Sequence, residues 1–129
     1  MGRCGMSEPL SPAEHLQAAS EAVRQHNHAA MADGYDSTPE ASRAAVALVE
    51  MCARLQQTID HIDGRVLRDL ADGRLAPDDG TAPGIHAYGA QLAFTDARVA
   101  LEDLRGYLQE ASSHLWHLGM VYEPEEDDA

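Results

Sequence analysis

The sequence has no lysine; all nine of its basic side chains are arginine, against 22 acidic residues and seven histidines. The resulting net charge of −13 argues against direct binding to nucleic acid, because phosphate contacts need a basic face. The exclusive use of arginine reads as the codon bias of a GC-rich genome rather than a functional choice. Aromatic residues are scarce, with one Phe and one Trp. That scarcity excludes a bulky aromatic core and argues against a β-sandwich. The apolar fraction is mostly Ala and Leu, which suits helices approaching through small side chains.

Only two cysteines are present, too few for a disulfide framework. Cys52 falls on an apolar helical seam and reads as a small core residue, while Cys4 lies in the leader. A Cys4–Cys52 bridge is not expected, and neither thiol has neighbours that would activate it. No apolar run approaches the roughly eighteen residues of a membrane span. The first residues, Met1-Gly2-Arg3-Cys4-Gly5-Met6, lack the apolar core of a signal peptide, and Met6 stands where a myristoylation motif wants Ser or Thr. The expectation is a cytoplasmic protein with a leader over residues 1–10, one helical domain over 11–119 and an acidic, disordered tail over 120–129.

Three helices have start and stop signals. Ser11-Pro12-Ala13-Glu14 combines an N-cap serine, proline at the first helical position and a glutamate three residues on, and the helix stops at Asp33-Gly34. Thr38-Pro39-Glu40 opens the second, which ends near Asp72-Gly73. The third starts within Thr81-Ala82-Pro83-Gly84 and ends at Leu118-Gly119. The predicted spans are about 12–32, 39–72 and 83–118, an all-α, three-helix up-down bundle.

Spacing strengthens this. In the second helix Ala45, Leu48, Cys52, Leu55, Ile59, Ile62 and Val66 alternate steps of three and four. In the third, Ala87, Ala90, Phe94, Ala97, Leu101, Leu104, Leu108, Ala111, Leu115 and Leu118 do the same. This heptad seam predicts helices packed at shallow angles, a coiled-coil-like pattern. Two helices of similar length and a short polar link, Arg74 to Pro83, predict a long antiparallel hairpin. The first helix, with its seam at Leu16, Ala19, Val23, His26 and Ala30, is expected to cover the Val46, Val49 and Ala53 stripe. Its length stops it short of the loop end of the hairpin.

The third helix carries a second stripe, Ile85, Tyr88, Leu92 and Val99, opposite the seam. It would be covered by the leader through Met6 and Leu10, or by another copy or partner helix, since exposed apolar patches mark interaction sites.

Catalytic constellations are lacking. Glu110, His114 and His117 stand four and three apart, the spacing of a metal-binding flank, yet they lie beside the seam and need a further ligand such as His26, His28 or His15. Solvated polar residues are the favoured reading of them, and no cofactor is expected. Asp60-His61-Ile62-Asp63 fans outward around a core isoleucine, and no Ser or Cys is placed as a nucleophile beside a His. Gly64 and Gly106 sit within long helices, tolerated or marking close approach of another helix. Pairs such as Arg65–Asp69, Arg68–Asp72, Glu50–Arg54 and Arg98–Glu102, four apart, describe a solvated surface.

Tyr122 and Glu126 follow the hairpin at Y-x-x-x-E spacing, which resembles the signal of helical-hairpin substrates of type VII secretion. The W-x-G turn of that family is not in the loop here, since Trp116 lies in the third helix as W-H-L-G. The resemblance implies a helical hairpin and covers five residues.

The functional expectation is a non-enzymatic helical module that binds protein, foremost a second copy as a homodimer, through the loop end of the hairpin at Ile85, Tyr88, Leu92 and Val99. Alternatives are an acidic decoy occupying a basic site on a nucleic-acid enzyme and a secretion-like hairpin substrate.

Overall fold

The computed structural model describes residues 8–121, which form three α-helices and no strand. These are α1 (Pro12–Ala32), α2 (Thr38–Ala71) and α3 (Pro83–Leu115). The chain divides into two compact units after Asp36, one holding α1 and the other the α2–α3 hairpin.

In α1 the capping box forms as the sequence demands. The Ser11 amide donates to Glu14 Oε1 at 2.9 Å, and the Glu14 amide donates to Ser11 Oγ at 3.2 Å. The helix ends at Asp33, and Gly34 takes a left-handed φ of 69° just beyond it. No residue of α1 is buried: of the seam read through Leu16, Ala19, Val23, His26 and Ala30, Ala30 is half-buried and the other four are exposed. His26 is exposed and pairs through Nε2 with the Tyr35 hydroxyl, the two rings lying 5.6 Å apart.

Ser37 caps α2 by accepting from the Glu40 amide at 3.3 Å. Its far end gives way to a loop with two left-handed glycines, Gly73 and Gly80, at φ 68° and 76°. In this loop Asp79 accepts from Thr81 and pairs with His86, and these contacts hold its carboxyl well below the usual range. Helix α3 starts at Pro83 with no side-chain cap from Ala82. It ends three residues before the expected Leu118. There the amides of His117 and Leu118 turn to carbonyls three residues back, at 3.0 Å each, the tightening common at helix ends.

The hairpin packs antiparallel along its length, but its seam is turned from the expected one. Cys52, Ile59 and Val66 of α2 and Ala87, Phe94 and Leu101 of α3 face the partner helix as predicted. The alternate positions divide: Ala90 and Ala97 stay half-buried, while the larger side chains turn outward. Leu48, Leu55 and Ile62 remain 46%, 38% and 41% exposed, and Leu104 47%. Their places are taken by the next residues along: Ser42, Val49, Gln56 and Asp63 on α2, and Gln91, Arg98, Arg105 and Ser112 on α3, all buried or half-buried. At 100° per residue this shift turns the buried stripe of α2 by about 50°, and that of α3 by less, since Ala90 and Ala97 keep part of their burial.

Two causes are visible. Small residues, Cys52, Ala87, Ser42 and Ser112, occupy four of the five buried positions among the described residues, Asp63 the fifth, and let the backbones approach. Polar side chains then bridge the gap. Gln56 Nε2 donates to Glu102 Oε2 at 2.9 Å, and Arg98 lies 3.1 Å from Asp60 and 3.8 Å from Asp63. These pairs run along the exposed rim of the contact and hold the offset, while Ser42 Oγ and Asp63 Oδ1 are buried within it without a partner.

Candidate interaction surface

The rotation gives the hairpin two unlike faces. In an antiparallel pair, equivalent positions of the two helices fall on the same side. Asp60, Asp63, Gln56, Arg98 and Glu102 therefore share one face, with a shallow cleft of Val46, Val49, Ser112 and Trp116 toward its end. The opposite face takes the displaced apolar residues. The cross-helix pairs fix the register: Leu48 lies level with Ala111, Leu55 with Leu104 and Ile62 with Ala97. Half-buried Met51 and exposed Tyr107 widen this band. It ends toward the loop at Asp69, which pairs with Arg65 at 3.1 Å.

Charges flank the band unequally. On the outer edge of α2, Arg54, His61 and Arg68 recur every seven residues; on that of α3, Asp96, Asp103 and Glu110 do the same. All six are exposed. Arg54 pairs within its helix with Glu50 at 3.3 Å.

The stripe singled out from the sequence, Ile85, Tyr88, Leu92 and Val99, stands in the open at 60%, 57%, 69% and 59% exposure, the first three within the opening turns of α3. It lies on the side of α3 away from the shared apolar band. Leu10 of the leader is exposed, and Met6 lies outside the described residues. A Cβ added at Gly64 or Gly106 would meet nothing within 4 Å, so no close approach within the chain explains either glycine.

The metal-like triad is not assembled. Glu110 and His114 lie on α3, but His117 falls beyond its end, and the step of three no longer places it on the same flank. Among the described residues no group of three His, Cys, Asp or Glu side chains is gathered as an ion would require. His61 and Asp63 point apart, one exposed and one buried. Cys52 is buried and unbonded. No described helix is long and apolar enough to cross a membrane.

Comparison with protein-family models, curated proteins and solved structures returns no match for this chain. The surface itself is therefore the basis for a functional reading. The shared apolar band could not be found from sequence, since its residues read there as seam.

Proposed function

We propose that this chain is a non-enzymatic helical interaction module that binds protein, a second copy of itself first, through apolar surface on the hairpin. The observation that carries this is the exposure of Leu48, Leu55, Ile62 and Leu104 on one side, with Ile85, Tyr88, Leu92 and Val99 on another. Grouped, exposed apolar side chains mark a protein contact, and the Leu48, Leu55 and Ile62 row is also bordered by charge.

The charge pattern supports this reading over an acidic decoy. A decoy needs carboxylates in one continuous face, whereas here the acidic edge of α3 is matched by arginines on the edge of α2. The secretion-like residues Tyr122 and Glu126 lie outside the described residues.

Light scattering on the purified full chain tests the proposal. A species of twice the chain mass at about 50 μM is expected, a concentration that populates a dimer of micromolar affinity. A strict monomer there would overturn self-association. Leu92→Asp then asks whether the loop-end stripe takes part.

A further inference from the structure

In a pair of helices that have only each other, each apolar stripe points straight at the partner. In this hairpin the stripe of α2 is turned about 50° toward one face and that of α3 partly follows, the orientation of helices that have a second apolar neighbour beneath them, as in a four-helix bundle. The band of Leu48, Leu55, Ile62, Ala97, Leu104 and Ala111 is thus half of a core.

We propose that the other half is the same band of a second copy. The two hairpins pack face to face about a two-fold axis parallel to the helices, so that α2 of each lies against α3 of the other. This deepens the self-association reading above, on which it rests, and puts the contact at the middle of the hairpin rather than at its loop end.

Charge decides between the two symmetric ways of laying this face on a copy. With the axis across the helices, α3 lies on α3, and Asp96, Asp103 and Glu110 meet their own equivalents. With the axis along the helices, the basic edge of α2 meets the acidic edge of α3. The register within one hairpin carries over to the assembly, because this axis preserves height along the helix. Arg54 then stands level with the second copy's Asp103, and His61 with its Asp96. Neither Asp96 nor Asp103 has a hydrogen bond or ion pair among the described residues that would compete. All four neighbouring helix pairs run antiparallel, which also opposes their dipoles.

The packing is sterically regular. Level by level the core holds Leu48 with Ala111, Leu55 with Leu104, and Ile62 with Ala97, each doubled by the symmetry. Large beside small at two levels and four leucines at the third suit close interdigitation.

Sedimentation equilibrium on the full chain, with circular dichroism to verify helix content, tests the arrangement. Leu55→Asp with Leu104→Asp is expected to abolish the dimer without loss of helix, since both residues are already exposed in the single chain. Arg54→Glu and Asp103→Arg are each expected to weaken it about tenfold, each contact occurring twice. Combining the two exchanges is expected to restore affinity to within about threefold, which general damage to the fold could not produce. A dimer that survives Leu55→Asp with Leu104→Asp but is lost on Leu92→Asp would overturn this interface and leave the interaction module standing. A double exchange no better than its parents would overturn the axis chosen. A monomer throughout would overturn both this inference and self-association.

Discussion

Glu102 shows how a surface carboxylate comes to link two helices. Its side chain accepts from Arg105 on its own helix and from Gln56 on α2. Arg105 first, then Gln56, lower its pKa from 4.5 to about 2. A carboxylate depressed on folding contributes stability that is present in full above 4.5 and lost as pH falls through its folded value. Glu102→Gln is therefore expected to be less stable than the parent at pH 7. The difference should shrink between pH 4.5 and 2, as urea unfolding across that range would record. The helical glycines work the other way. Gly64→Ala and Gly106→Ala meet open space and should each add about 1 kcal/mol, read as a higher Tm. Both sit away from the shared apolar band, so neither should change the mass in solution.

At the scale of the element, the seam is a compromise between apolar spacing and polar pairing. Asp63 is buried, has only a 3.8 Å approach to Arg98, and leaves Oδ1 without a partner. Arg98 would keep Asp60 at 3.1 Å if Asp63 were removed. Asp63→Leu should therefore stabilise the hairpin by about 1–2 kcal/mol in chemical denaturation, since an imperfectly paired buried charge gives way to apolar packing. The same residue explains what periodicity could and could not reveal. Cap signals bound the helices, the short link from Arg74 to Pro83 implies their antiparallel pairing, and steps of three and four give half the seam, through Cys52, Ile59, Ala87 and Phe94. They could not find the offset, because Gln56, Asp63 and Arg98 read as surface residues until their partners across the loop are known. The stripe at Ile85, Tyr88 and Leu92 was legible as exposed because it lies opposite either version of the seam. The shared apolar band was not, since its leucines and alanines had been spent on the core. The capping box was fully visible because it spans four consecutive residues, Ser11 to Glu14. The end of α3 was missed by three residues, since Leu118 continues the apolar spacing past the point where the backbone tightens.

At the scale of the molecule, charge sets the conditions under which two copies can meet. Each chain carries −13, so approach is opposed by a repulsion that acts beyond the local pairs at the edges of the band. Salt shortens its reach from about 30 Å at 0.01 M to about 8 Å at 0.15 M. The dimer should therefore tighten over that interval, with the dissociation constant falling as salt is raised. Further salt should have little effect once only the apolar contact remains. Sedimentation equilibrium at several ionic strengths checks this, and a constant that rises from the lowest salt upward would contradict it.

The bridges from Gln56 to Glu102 and from Arg98 to Asp60 have one more consequence, for evolution by insertion and deletion. Apolar spacing repeats every seven residues, so a helix shortened by seven would keep its greasy side in phase and could slide to a new alignment. The bridges do not repeat in that way. They act as a ruler with a single zero, and any sliding separates Arg98 from both of its carboxylates at once. Loss of one heptad from the loop side of α3 alone would strand that arginine, whereas matched losses from α2 and α3 on that side would not. Chains descended from this one should change the length of their hairpin in pairs of heptads, one from each arm.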